Sequence, residues 1–234
     1  MKLLVFQHSL GEPPAAFSGH ARAHGDEMHI VHLYRGDPMP DPGDFTHLLA
    51  MGGPMNVWEH GAHPWLREEK DAIRAWVSAE KPYLGICLGH QLLASAMGGD
   101  CSTMARPEIG VCDVTLTAPE RCALLAGLPD SFPALHWHGV EVIRLADNGK
   151  IWGASKGCKN QVMQFGTKAW GLQFHPEIQR GTISEWMLDP SNLQAATAWL
   201  GSAEKVWEFV ADAEEHTDDF IDVSTSIYAA FRAM

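Results

Sequence analysis

One cysteine lies in a sequence pattern that suits a catalytic nucleophile. The segment Gly85-Ile86-Cys87-Leu88-Gly89 follows an apolar run and precedes a helical pattern, which is the arrangement of a nucleophile elbow. The turn is so tight that a Cβ on either flanking residue would collide with neighbouring backbone, so glycine is expected at both positions. At the N-terminus of the next helix, the helix dipole would favour the thiolate of the cysteine.

A histidine and a glutamate two residues apart could complete this site. They lie in the segment Phe174-His175-Pro176-Glu177. Proline biases the residue before it toward an extended backbone, and side chains two apart on an extended chain share a face. The carboxylate of Glu177 would then orient the imidazole of His175, and the other ring nitrogen would face the thiol, the logic of a nucleophile–base–orienter triad.

A third pattern, Gly52-Gly53-Pro54, ends an apolar run at residues 46–51. In open α/β sheets, ligands bind at the carboxyl ends of the strands. The backbone N–H groups of Gly53 and Leu88 are therefore candidates for an oxyanion hole.

These patterns must be positioned by the elements around them. Strand-length apolar runs at residues 3–6, 29–33, 46–51 and 82–86 alternate with helical patterns at 14–24, 64–79 and 90–97. Such alternation predicts an α/β fold with a doubly wound, mostly parallel sheet and helices on both faces. Further strands at 111–116, 134–145, 151–155, 161–165 and 169–174 predict a mixed or antiparallel extension.

The last third of the chain is predicted to be helical. Start and stop signals bound a helix at residues 191–200, and an apolar stripe at three- to four-residue spacing runs from Val206 to Phe231. The stripe is expected to pack on its own domain, and a homodimer or partner surface is the alternative.

Composition limits the classes of function. The chain of 234 residues carries 17 basic and 29 acidic side chains, a net charge of −12. This charge argues against binding to nucleic acid or to anionic membranes. No apolar run reaches the roughly 18–20 residues that span a bilayer. Five cysteines without a CxxC pair, and an N-terminus unlike a signal peptide, predict a cytoplasmic protein.

At this point the chain resembles the class I, triad-type glutamine amidotransferases. The match rests on Gly52-Gly53-Pro54, on residues 85–91 and on residues 173–177, in that order. Two further segments, Glu108-Ile109-Gly110 and residues 135–139, resemble free-standing proteins similar to the amidotransferase domain of GMP synthase. The resemblance implies a flavodoxin-like amidotransferase domain over residues 1–180, with residues 181–234 as a helical extension packed on it.

The resemblance also implies a mechanism and a substrate site. Cys87 attacks the side-chain carbonyl of glutamine, His175 protonates the departing ammonia, and water hydrolyses the glutamyl thioester. Gln91 and the backbone around Gly139 and Val140 would hold the amino-acid end of the substrate; relatives often carry an acidic or aromatic residue at the last of these positions. No cofactor is implied.

Three functions stay open. A glutaminase could pass ammonia to a synthase on a separate chain, because the 234 residues contain no GxxxxGK[ST] loop. A free-standing hydrolase of γ-glutamyl amides or peptides could use the same triad. A non-catalytic binding module is disfavoured because the nucleophile, the base and the orienting carboxylate are all present.

The histidines also raise the question of a metal site. His136 and His138 are two apart on a predicted strand, and His60 and His63 are three apart near a loop. Neither pair has an evident third ligand at zinc-like spacing. The sequence therefore predicts no metal site.

Overall fold

The computed structural model describes residues 1–118 and 122–234, and within them one sheet of nine strands organises the chain. The strands are β1 (Lys2–Gln7), β2 (Glu27–His32), β3 (His47–Ala50), β4 (Tyr83–Ile86), β5 (Asp100–Leu116), β6 (Ser131–Arg144), β7 (Gly149–Ala154), β8 (Val162–Phe165) and β9 (Ala169–Leu172).

Seven α-helices lie in the described residues. They are α1 (Ala15–His24), α2 (Trp65–Ser78), α3 (Leu88–Ala96), α4 (Thr182–Trp186), α5 (Pro190–Leu200), α6 (Ala203–Glu215) and α7 (Thr217–Arg232). Short 3-10 turns cover Leu33–Arg35 and Pro42–Asp44.

The strand order is β2-β1-β3-β4-β9-β8-β7-β5-β6. From β2 to β9 neighbouring strands are parallel. From β9 to β6 they are antiparallel. The predicted α/β class, with a mostly parallel sheet and an antiparallel extension, is confirmed.

Helices cover both faces of the parallel strands, as predicted. Along β1, Leu3 and Val5 pack into one apolar cluster with α1 and α7, and Leu4 and Phe6 pack into another with α2 and α3. Successive side chains of a strand point to opposite faces, so a continuous apolar run is what a strand buried on both sides requires.

The C-terminal region differs from the prediction in one respect. The apolar stripe is divided between two helices, because α6 ends at Glu215 and α7 begins at Thr217. The hydroxyl of Thr217 donates to the carbonyl oxygen of Glu214 (2.9 Å), and Asp218 and Asp219 occupy the first turn of α7. Acidic residues favour a helix N-terminus, and this start signal was missed.

The C-terminal helices pack on the sheet and on its extension. Tyr228 and Phe231 of α7 lie in the same cluster as Phe17 of α1, and Phe209 of α6 lies with Leu135 of β6. The division of the chain at residue 180 remains a proposal.

Several boundaries were also wrong. β5 begins at Asp100, eleven residues before the predicted start, because its first half carries charged and exposed residues without the alternation that identifies a strand. α3 begins at Leu88, directly after the cysteine, rather than at residue 90.

Candidate active site

Cys87 occupies the sharp turn between β4 and α3. Its backbone has φ 51° and ψ −102°, a conformation that residues with a side chain rarely adopt. A Cβ added to Gly85 would meet the backbone of Gly89, and one added to Gly89 would meet the backbone of Ala50. The expected requirement for glycine on both sides is confirmed.

The thiol of Cys87 is buried, with 7% of the residue exposed. Its sulfur lies 4.0 Å from the carbonyl oxygen of Trp137 on β6. Burial raises the pKa of this thiol, and the neighbouring His175 lowers it without cancelling the effect. Desolvation therefore opposes the stabilisation of the thiolate that the helix dipole is expected to supply, and that expectation remains a prediction.

His175 and Glu177 follow β9 and share one face, as predicted. Nδ1 of the imidazole and Oε1 of the carboxylate are 2.8 Å apart, and both residues are buried. Burial disfavours the imidazolium, but the Glu177 carboxylate and then the Cys87 sulfur outweigh it and raise the pKa of His175 well above its usual value. Its Nε2 makes no conventional hydrogen bond with the described residues.

The residues that carry the two predicted oxyanion donors, Gly53 and Leu88, lie close together. The N–H of Gly89 donates to the carbonyl oxygen of Met51 (3.1 Å), which joins the start of α3 to the end of β3. A Cβ on Gly53 would lie 2.8 Å from a methyl group of Leu88. Within the described parts of the chain, neither Gly53 nor Leu88 uses its N–H in a hydrogen bond.

His8, which the sequence analysis missed, holds the peptide before Gly53. Its Nδ1 lies 3.0 Å from the carbonyl oxygen of Gly52, and its Nε2 lies 2.8 Å from Oε1 of Glu69. Both partners accept hydrogen bonds, so both ring nitrogens carry a proton. Burial lowers the pKa of His8, but Glu69 more than compensates and the net shift is upward.

Two more residues at the site were missed. The carboxylate of Glu12 lies against Gly52, and burial raises its pKa to about 7. The indole of Trp186, from α4, meets the ring of His175 edge-on with centroids 5.4 Å apart, and its Nε1 donates to the carbonyl oxygen of Gly11 (3.0 Å). His8 and Glu12 follow β1 at the carboxyl edge of the sheet, a position that could have identified them; no sequence signal marks Trp186.

Gln91 reaches the segment that was predicted to hold substrate. Its side-chain amide donates to the carbonyl oxygen of Val140 and to Oε1 of Gln173, each across 3.1 Å. Gly139 and Val140 lie on β6, two and three residues beyond Trp137. The amide of Gln91 therefore joins β6 to the segment that follows β9.

The structure also brings together three potential metal ligands. Donor atoms of Glu108, His136 and His138 all lie within 4.8 Å of one another. Burial lowers the pKa of His136 to about 4. In the second histidine pair, Nε2 of His60 lies 2.6 Å from the ammonium of Lys70, so a cationic side chain already contacts that nitrogen.

None of the described helices has the length and apolar character needed to cross a membrane.

Comparison with known proteins identifies the family of this chain. A family profile described as glutamine amidotransferase class-I matches residues 24–192. The chain is 36% identical over 143 residues to one subunit of the glutamine-hydrolyzing GMP synthase of Ignicoccus hospitalis, covering 61% of this chain and 72% of that protein. It is 30% identical over 203 residues to the glutamine amidotransferase-like protein YfeJ of Salmonella typhimurium, covering 85% and 84%.

A solved structure supports the same family. The crystal structure of a glutamine amido transferase from Methylobacillus flagellatus aligns with a TM-score of 0.88 at 25% identity, over 99% of this chain and 94% of that one. Sequence and fold lead to the same conclusion: this chain belongs to the class I glutamine amidotransferase family.

Proposed function

We propose that this chain hydrolyses the side-chain amide of glutamine through a glutamyl thioester on Cys87, with His175 as base and Glu177 orienting that base. One observation carries the proposal. The buried imidazole of His175 has its Nδ1 2.8 Å from the Glu177 carboxylate, and it lies beside Cys87 on the nucleophile elbow.

In the first half of the reaction, the thiol proton passes to Nε2 of His175 and the sulfur attacks the amide carbon. The Glu177 carboxylate stabilises the imidazolium that forms. When the carbon–nitrogen bond breaks, the same proton moves from Nε2 to the departing nitrogen and ammonia leaves. The Glu177 carboxylate, which raises the pKa of His175, makes the imidazole a better acceptor of the thiol proton.

In the second half, His175 takes a proton from water while the water oxygen attacks the thioester carbon. The carbon–sulfur bond breaks, the proton returns to the sulfur of Cys87, and glutamate leaves. Both tetrahedral intermediates place negative charge on the former carbonyl oxygen, which the N–H groups of Gly53 and Leu88 would bind. Gly139, Val140 and Gln91 would hold the amino-acid end of the substrate, the amide of Gln91 acting through β6.

The ammonia would pass to a synthase on a separate chain. The support is the relative from Ignicoccus hospitalis, which is named as one subunit of a glutamine-hydrolyzing GMP synthase. Mixing the purified chain with a candidate synthase should raise ammonia release and couple it to amination of the acceptor. The expected cytoplasmic location and the homodimer remain predictions.

The triad is tested by ammonia release from glutamine in wild type, C87A, H175Q and E177Q. C87A should abolish turnover, H175Q should reduce kcat about a thousandfold or more, and E177Q should reduce it less because the base remains. H24Q, a change of an exposed histidine, should match wild type. Turnover surviving in C87A would refute the assignment.

A second candidate, hydrolysis of a γ-glutamyl amide, is favoured by a cavity beside the triad. It has a volume of about 230 Å³, and its lining includes the carboxyl side chains of Glu12, Glu177, Glu185 and Asp189. A cationic leaving amine would complement the carboxylates of Glu185 and Asp189, which take no part in the proposed triad. Rates of hydrolysis of glutamine and of the γ-glutamyl amides of a diamine and of a neutral alkylamine separate the two candidates. Faster hydrolysis of the diamine amide would identify that class of compound, rather than glutamine, as the substrate.

A further inference from the structure

We propose that Glu108, His136 and His138 bind one zinc ion between β5 and β6, in a site separate from the proposed triad. The two histidines lie on β6, and the glutamate faces them from β5, paired in register with His138. The histidines are 0% and 3% exposed and the glutamate 8%, so the cluster is enclosed by protein.

The distances suit one small cation. Oε2 of Glu108 lies 3.1 Å from Nε2 of His138 and 3.5 Å from Nδ1 of His136. Zinc bonds of about 2.0–2.1 Å in a tetrahedral site require ligand atoms about 3.4 Å apart. Two imidazole nitrogens and one carboxylate oxygen are common zinc ligands, whereas calcium and magnesium prefer oxygen alone.

Hydrogen bonds behind the two rings support the same conclusion. Nε2 of His136 lies 3.2 Å from the carbonyl oxygen of Cys112, and Nδ1 of His138 lies 3.1 Å from that of Val140. A carbonyl only accepts, so each of these nitrogens carries a proton. With a cation bound beside the carboxylate, the opposite nitrogen of each neutral ring would direct its lone pair at that cation, which is the orientation of metal-binding histidines.

His136 gives the evidence that points to a missing ligand. Its Nδ1 is buried and has no hydrogen-bond partner among the described residues, although it is directed toward Glu108. The carboxylate itself is held by Ser155 at 2.6 Å and Gln161 at 2.7 Å. An alternative without metal, an ion pair between the glutamate and a protonated His138, leaves Nδ1 of His136 unsatisfied.

Bound zinc would hold β6 beside the nucleophile. Trp137, whose carbonyl oxygen lies 4.0 Å from the sulfur of Cys87, is the residue between the two histidine ligands. The ion would thus fix the strand that borders the site without contacting substrate.

The test is zinc binding by the full chain after treatment with a chelator. Metal analysis and calorimetric titration should give about one zinc per chain, and zinc should raise Tm. Cobalt(II) in its place should show the visible absorption of tetrahedral coordination. The same stoichiometry is expected in C87S, which excludes binding at the thiol.

H136Q is the discriminating variant, because it removes one ligand and leaves the Glu108–His138 contact in place. It should weaken zinc binding about a hundredfold, whereas H29Q, at an exposed position on β2, should bind like wild type. Failure of the wild type to bind zinc at micromolar free metal, or unchanged binding by H136Q, would show an ion pair only and overturn the proposal. Neither result depends on turnover of glutamine.

Discussion

The imidazole of His8 donates a hydrogen bond from Nδ1 to the carbonyl oxygen of Gly52, 3.0 Å away. That carbonyl and the N–H of Gly53 belong to one planar peptide and point in opposite directions. His8 therefore fixes the direction of the N–H proposed to bind the oxyanion. Glu69, buried behind the ring, keeps the imidazole protonated.

Changing His8 to alanine should lower kcat for glutamine about tenfold or more with little change in KM, because the lost interaction acts only on the transition state. Steady-state ammonia release at several glutamine concentrations measures the two constants separately. H24Q again serves as the control. A rise in KM at constant kcat would place His8 in substrate binding instead.

Glu12 gives a prediction about stability and pH. Its folded pKa of about 7 lies above its ordinary value of 4.5, so folding favours the protonated acid. The stability that this supplies is complete below pH 4.5, declines as pH rises, and is lost above about pH 7. E12Q should therefore unfold at a higher Tm than wild type at pH 8, by about 2–4 °C for each kcal/mol gained.

Thermal unfolding at pH 4.5 and pH 8 tests this sign. The advantage of E12Q over wild type should be smaller at the lower pH. An advantage that is equal at both values would contradict a raised pKa.

Gly89 should not tolerate alanine, since a Cβ there meets the backbone of Ala50, which cannot move without disturbing β3. We expect G89A to lower the free energy of unfolding by about 3 kcal/mol. G19A is the matched control, because Gly19 lies within α1 with open space around it. That change should raise the free energy of unfolding by about 0.5–1 kcal/mol. Chemical denaturation measures both, and equal effects would refute the steric argument.

Trp186 tests whether the C-terminal region contributes to catalysis. Its indole borders the ring of His175, so W186A should expose the base to water and lower kcat/KM about tenfold. W186F retains an aromatic ring and loses only the bond to Gly11, so it should stay near wild type. Similar losses in the two variants would assign the effect to that hydrogen bond.

The parts of the site that were predictable are those encoded in short segments. A Cβ on Gly85 would meet the backbone of Gly89, so the elbow itself requires glycine there. Pro176 disfavours a helical backbone at His175, and the Glu177 carboxylate reaches the imidazole two residues away. The alternation of strand-length runs with helical patterns likewise predicted the parallel half of the sheet, in which β1 and β3 are buried on both faces.

The parts that were not predictable depend on contacts between distant residues. Trp186 meets Gly11 across 175 positions, and Glu108 meets His138 only through the pairing of β5 with β6, 30 positions apart. The register of an antiparallel pair is set by packing and by the connection between strands. The irregular register between Thr103 and Glu108 has no readable signal in the chain.

The backbone conformation at Cys87 implies that the residue proposed for catalysis lowers the thermal stability of this protein. A positive φ of 51° imposes a conformational penalty of about 1–3 kcal/mol on any residue with a side chain. Glycine has no such penalty, and the greater conformational entropy of its unfolded chain costs only about 0.5–1 kcal/mol of stability. The variant C87G, which lacks the nucleophile, should consequently unfold at a higher temperature than wild type. C87S also lacks the thiol but keeps a side chain at this φ, so it should not gain stability.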